Sequence, residues 1–372
     1  MASIIFSPRV FCSSKLLYEI FEDKKKCLQA ELLKKLWNSH ISFLIDDSNY
    51  EKEELDIYKE KIDEQTMVKA NLEYNVETPQ IDYRSNNKQL LTKENLKNIY
   101  NDIFIIDENE ESCDSYCKKF GMLVISEYNL KNLETIFFKT ELRIKRGNLY
   151  PQIGNKIKPG WHSLFFNEDE NEHILFKILP VNSILINDCY IFKNDSEKAV
   201  KNTISLINGI LLASKNTFLQ ISIFTVSNGK NERYFQVAFD KVKLEFPDIK
   251  IELIVHTNST DLHARIIITN YTWMNDPQEK GFNLFKEEIA NTNGSLDIKH
   301  VFNDFNNLFI TKLTPTVTND INKFITLCND ERNKILSNIE RFETSQSNQT
   351  REEFYFSTSD NNKKLNSRLL TY

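Results

Sequence analysis

The sequence predicts a two-part α/β protein: a small parallel αβ domain, then a second αβ domain closed by C-terminal helices. Three observations predict it. Short apolar runs alternate with helical stretches through the first third of the chain. A basic stretch at 139–160, bearing Pro151, Pro159 and several glycines, interrupts that rhythm. Beyond Trp161 the alternation resumes with longer strands. The chain has 372 residues, 40% hydrophobic and 12% aromatic, which is enough apolar side chain for real cores and excludes disordered or collagen-like classes. Glycine is scarce, at 8 residues, and neither GxGxxG nor GxxxxGK[ST] occurs, so Gly-rich phosphate loops are excluded.

In the first domain, expected at 1–138, Ser3 to Phe6 reads as a strand and Ser13 to Asn38 as one helix. Ile41 to Ile45 reads as a strand, and 51–100 as charged and helical in parts. Ile103 to Ile106 is a strand, Ser112 to Phe120 a helix ended by Gly121, and Met122 to Ser126 a strand. Residues 139–160 read as a linker or extended hairpin. In the second domain, 161–343, strands are expected at Ile174–Ile178, Ser183–Ile186, Leu219–Val226, Ile249–His256 and Ala264–Thr269. Helices are expected at Asp195–Ser214, Glu232–Phe246, Ile298–Phe309 and Asp320–Phe342. The polar residues 344–372 read as a mobile tail.

Compartment and topology follow from what the chain lacks. MASIIFSPRVF has too short an apolar stretch for a signal peptide, and no apolar run approaches the ~18 residues of a membrane helix. Six scattered cysteines read as reduced thiols, and Cys113 and Cys117 have no second ligand pair for zinc. The expectation is a cytoplasmic protein with no cofactor and no metal in its main site. The net charge of −6 argues against a general nucleic-acid coat but leaves room for a local basic groove.

The most informative segment is Asp261-Leu262-His263-Ala264-Arg265, followed by an apolar run to Asn270. His and Arg two apart on a strand face the same side, so both reach one anion. There the imidazole is a nucleophile or acid and the guanidinium a bidentate phosphate clamp. The second candidate is the basic stretch, with Arg143, Lys145, Arg146, Lys156 and Lys158 interleaved with Phe138, Tyr150 and Trp161. With Trp273 it suits phosphate neutralisation and base stacking, although a solvated linker face explains the charges equally well. The third is the set of acids after the N-terminal strands: Asp46, Asp47, Asp107, Glu108 and Glu127. These either hold a divalent cation at the sheet's carboxyl edge or cap helices. His256 reads as an exposed strand-end residue or a partner for His263.

His263, Arg265 and Asn270 resemble the phospholipase D superfamily motif HxKxxxxD, with Arg for Lys and Asn for Asp. Asp188, Tyr190, His263, Arg265, Trp273 and Gly281 together resemble the phospholipase-D-like C-terminal domain of the MIT-domain protein linked to membrane scission, over roughly 165–310. The resemblance implies a phospholipase-D-like fold and a catalytic set of His263, Arg265 and Asn270. In such enzymes a phosphohistidine forms without metal, and with one motif per chain two copies must meet in a homodimer. Residues 103–126 are similar to the strand–acid–helix–Gly–strand unit of PIN-type nucleases, with Ser7-Pro8 where that family has an Asp. These likenesses imply a nuclease or nucleic-acid-binding protein, in a setting such as bacterial antiviral defence. The alternative is a non-catalytic scaffold that binds membrane headgroups or a protein partner.

Overall fold

The computed structural model describes residues 9–24, 27–37, 42–46, 51–72, 81–84, 103–105, 121–126, 141–145, 180–189, 191–192, 196–211, 219–257, 262–275, 295–300, 316–345, 351–359, 364–365 and 369–370. The chain forms two units. One comprises 6–139 and 302–316, the other 1–5, 140–301 and 317–372. Each mixes helices and strands, as expected of an α/β chain.

The first unit holds a five-stranded parallel sheet in the order β3-β2-β1-β4-β5. Its strands are β1 (Arg9–Ser13), β2 (Ser42–Asp46), β3 (Ile81–Arg84), β4 (Ile103–Ile105) and β5 (Leu123–Ile125). Strands buried on both faces need continuous apolar runs, and Val10-Phe11-Cys12, Phe43-Leu44-Ile45 and Ile103-Phe104-Ile105 supply them. Phe11 stacks on Phe104 of the neighbouring strand, 4.7 Å between centroids. The single helix expected at Ser13 to Asn38 is two, α1 (Ser14–Phe21) and α2 (Leu28–Trp37). The charged residues 22–26 offer nothing to bury, and Asp23 takes a positive φ of 53°, a conformation its short polar side chain tolerates. Ser13 caps α1, its hydroxyl accepting from Leu16 N at 3.2 Å. The third helix, α3 (Lys52–Leu72), joins α1 through a Lys61–Glu22 ion pair. The strand expected at 3–6 and the helix at 112–120 lie outside the described residues; Gly121 has the expected positive φ, 60°.

The second unit is built on an eight-stranded sheet in the order β13-β9-β8-β7-β10-β11-β12-β6. Its parallel centre is β7 (Ser183–Asn187), β8 (Gln220–Val226) and β9 (Lys250–His256). Antiparallel strands extend it: β10 (Ile266–Thr269), β11 (Thr272–Asn275), β12 (Ser295–His300) and β6 (Glu141–Lys145) on one side, β13 (Phe354–Ser357) on the other. One face carries Ile184, Ile186, Ile221, Ile223, Leu253 and Val255, which join Phe235, Ala238 and Phe239 in one core. The last three lie on helix α5 (Glu232–Glu245), and Val200 and Ile207 on α4 (Ser196–Leu211) add to the same core. Alternation sends Ser222, Glu252 and Tyr355 to the other face, where they meet one another and Glu252 meets Arg332 of α6 (Thr316–Ser345).

A polar knot on that face ties the C-terminal segment down. Arg332 of α6 and Glu252 of β9 are both fully buried and paired at 3.0 Å. Ser222 and Tyr355 hydroxyls donate to the same carboxylate at 2.6 and 2.8 Å. The guanidinium also donates to the carbonyls of Leu365 and Leu370, and Leu365 N donates to Tyr355 Oη. Each buried charge therefore has several partners, the condition for tolerating it.

Three expectations differ here. The tail after 344 is not wholly mobile: α6 runs to Ser345 and Phe354–Ser357 is a buried strand, because Phe354 and Phe356 enter the core while Tyr355 turns to Glu252. Within the expected linker, 141–145 is the edge strand β6. Ile298–His300, expected as the start of a helix, ends β12.

His256, at the end of β9, is fully buried, with Nδ1 2.7 Å from Thr257 O. Burial lowers its pKa below the ordinary 6.5, against the pull of Glu331, Glu353 and the Thr257 carbonyl and with the push of Lys334. The folded state thus binds this proton less readily than the unfolded state. The contribution is complete above about pH 6.5 and is lost as pH falls below it. Urea midpoints between pH 7.5 and 5.5 are expected to fall more in the wild type than in His256→Gln; parallel falls in both would contradict this.

Candidate functional site

The carboxyl edge of β7, β8 and β9 is where an open parallel sheet exposes strand-end loops to a ligand. The registers bring more to that edge. Ile266 pairs with Asn187, Asn275 with Ile266, Asp297 with Asn275 and Arg143 with Asp297. The start of β10, the end of β11, the start of β12 and the end of β6 therefore share it. At this end, β7 gives way to Asp188 and Cys189, and the 262–265 segment leads into β10.

His263 and Arg265 are not strand residues, contrary to the expectation. β10 begins at Ile266, and the preceding residues follow an irregular path. The cause is Asn187, whose Nδ2 donates to Leu262 O at 3.0 Å and also to Ala264 O. Cys189 Sγ donates to Leu262 O as well, at 3.2 Å. A side chain from the neighbouring strand thus takes carbonyls that a continued ladder would otherwise have bonded. His263 is left half-buried between the buried Leu262 and Arg265.

Arg265 is buried at 5% exposure, its Nε 3.6 Å from the equally buried Asp188 carboxylate. The distance exceeds a hydrogen bond but leaves a strong charge interaction in a desolvated place. Arg265 is therefore not an open phosphate clamp: Asp188 already holds its charge. Asn270 is not at the site. It lies beyond the far end of β10, where its Oδ1 accepts from Asn182 N at 3.0 Å and its Nδ2 donates to Pro180 O at 3.1 Å. That is a staple between the entry to β7 and the β10–β11 turn, so Asn270 is corrected from catalytic candidate to structural residue. His256 is separated from His263 by β8 and β7. Its ring is buried among groups that include Glu331 and Glu353, so it is not the partner expected.

Among the basic candidates, Arg143 and Lys145 lie on β6, at the register positions of Asp297 and Ser295. Arg146, Lys156 and Lys158 lie outside the described residues. Trp273 is half-buried on β11, opposite Lys299, with its indole Nε1 buried and without a hydrogen-bond partner among the described residues. Asn187 and Asp188 complete the site; the sequence pointed to Asp188 through the resemblance and to Asn187 only as a residue closing an early strand, with no role in the site. In the first unit, Asp46 ends β2, while Asp47, Asp107, Glu108 and Glu127 lie outside the described residues. Among the described residues no group of three metal-ligating side chains occurs, and no helix is long and apolar enough to cross a membrane.

The second unit is thus a mixed αβ domain with a His-x-Arg loop at the carboxyl edge of its central parallel strands. Residues 172–315 match the family model described as the phospholipase D-like domain at the C-terminus of MIT, as the resemblance implied. No curated protein matches the chain significantly. Among solved structures, that of TrmBL2, an archaeal chromatin protein described as showing a novel mode of DNA binding, aligns at 10% identity and a TM-score of 0.19. The alignment covers 49% of this chain and 59% of that one, under two thirds of its length.

Proposed function

We propose that the second unit binds a phosphodiester, with nucleic acid the foremost ligand, along the sheet edge that carries the His263 loop. The observation that supports this is the register, which brings the basic strand β6 and the His263 segment to the same end of one sheet. Lys and Arg of β6 neutralise phosphates, Trp273 offers a ring for a base, and His263 contributes a hydrogen bond. Arg265 supports the site from beneath instead of meeting the ligand. This reading favours binding over turnover, because Asn270 serves the other end of β10 and Asp188 occupies Arg265.

A second reading rests on His263 being half-buried between fixed neighbours, as a nucleophile requires. Two copies facing each other in a homodimer would then form a metal-independent phosphodiesterase, one imidazole attacking phosphorus and the other protonating the leaving oxygen. One experiment separates the readings. Fluorescence anisotropy with labelled single- and double-stranded oligonucleotides, and flotation with anionic vesicles, are run across a salt series in chelator. The expected result is oligonucleotide binding that weakens with salt, falls roughly tenfold in Arg143→Ala/Lys145→Ala, and shows no cleavage. Cleavage lost in His263→Ala would replace binding by catalysis. Vesicle binding alone would favour the scaffold, and affinity unaffected by either set of substitutions would sink the site.

A further inference from the structure

We propose that Asn187 is the positioning residue of this site, holding the backbone around His263 through the carbonyls of Leu262 and Ala264. The inference rests on the reading of His263 as a ligand-facing residue and deepens it by naming what holds that residue in place.

A carboxamide nitrogen has two N–H donors and no more. Both of Asn187's are used on one short segment: one on the carbonyl before His263, at Leu262, the other on the carbonyl of Ala264, after it. The Leu262 carbonyl belongs to the peptide that enters His263 and the Ala264 carbonyl to the peptide that leaves Ala264, so the two-residue span of His263 and Ala264 is pinned at both ends. Asn187 can do this because it is the last residue of β7 and pairs with Ile266, the first residue of β10. Its side chain meets the chain where the ladder stops. Leu262 and Arg265 are buried on either side, and Cys189 Sγ adds a second hold on Leu262 O. His263 is thus the one half-buried polar side chain in a segment whose neighbours are anchored. Asn187 itself is fully buried, too deep to touch a ligand, so it acts through His263.

The test uses the full chain, a labelled ten-nucleotide single strand as probe, and the imidazole resonances in a histidine-labelled sample, with His263→Ala identifying the resonance of residue 263. In Asn187→Ala the His263 resonance is expected to move while those of the other histidines hold. Probe affinity is expected to fall about tenfold, the low end for loss of an outer-shell partner. Because Asn187 acts through His263, the double variant Asn187→Ala/His263→Ala should bind no more weakly than His263→Ala alone. An effect that multiplies in the double variant, or an unmoved His263 resonance, overturns the proposal. Should Asn187→Ala fail to fold, Asn187→Gln keeps both donors on a longer arm, and the same resonance shift and non-additivity are expected of it. If His263→Ala leaves probe binding intact, the functional reading fails instead. The resonance shift then decides the positioning claim by itself.

Discussion

Arg332→Met is expected to destabilise the second unit by about 3–5 kcal/mol, because it strands the Glu252 carboxylate in a fully buried place. The Ser222 and Tyr355 hydroxyls remain but carry no charge, so they satisfy hydrogen bonds without balancing the ion. The loss should reach the chain terminus as well. The carbonyls of Leu365 and Leu370 both take guanidinium hydrogens, and faster amide exchange around them should accompany the lower urea midpoint. Glu252→Gln in the Arg332→Met background removes the orphaned charge and is expected to recover more than half of the loss. A midpoint unchanged within about 0.5 kcal/mol, or strictly additive single and double variants, would show that the pair is not the lock on the C-terminal segment.

That lock explains why the C-terminal strand escaped sequence reading. Between Thr344 and Lys364 the composition is polar, and only Phe354-Tyr355-Phe356 interrupts it. Three residues are too few to show a period. What makes them a strand lies on distant residues: a free edge at β9, a core that takes Phe354 and Phe356, and a carboxylate at residue 252 that takes the tyrosine. By contrast α4, α5, α6 and β7 to β9 were legible, since each carries its own pattern. The helices repeat apolar residues at helical spacing, and the buried parallel strands are rich in Ile, Leu, Val and Phe with only single polar residues between them. β1 was not read as a strand, because Cys12 and Ser13 dilute an element whose burial comes from neighbours on both sides.

At the candidate site the sequence located the segment but not its shape. The His-x-Arg spacing singled out the 262–265 segment, and the family match to 172–315 agrees with the resemblance those residues carried. Strand alternation then gave the wrong picture, because it assumes that the ladder continues through residue 263. Whether it does is decided by Asn187, more than seventy residues away in the chain, and no local pattern marks an asparagine as the donor that ends a ladder. Asn270 misled for the same reason. Its spacing fits a motif, while its contacts to Asn182 and Pro180 come from the far side of β7.

Arg265→Ala is expected to cost about 3 kcal/mol of stability, more than it costs in ligand affinity. Its guanidinium lies beside Asp188, and both side chains are about 95% buried, so truncation removes a cation that faces a desolvated carboxylate. The ion pair is long, at 3.6 Å, which sets the expectation at the low end of the range for breaking a buried pair. Asp188→Asn should behave differently. It removes the charge but keeps the shape, and it frees Arg265 from its standing competitor. Affinity for the oligonucleotide probe is expected to rise in this variant, by a few-fold at low salt and less at high salt. Combining the two substitutions should restore part of the stability lost in Arg265→Ala while abolishing the gain in affinity. Urea denaturation and probe titration of the same three variants check both halves. An Arg265→Ala protein of unchanged stability whose affinity collapses would mean that the guanidinium meets the ligand directly, with Asp188 only its orienting neighbour. The direction of the Asp188→Asn effect carries the most information, since a built-in anionic competitor and a mere structural partner predict opposite signs.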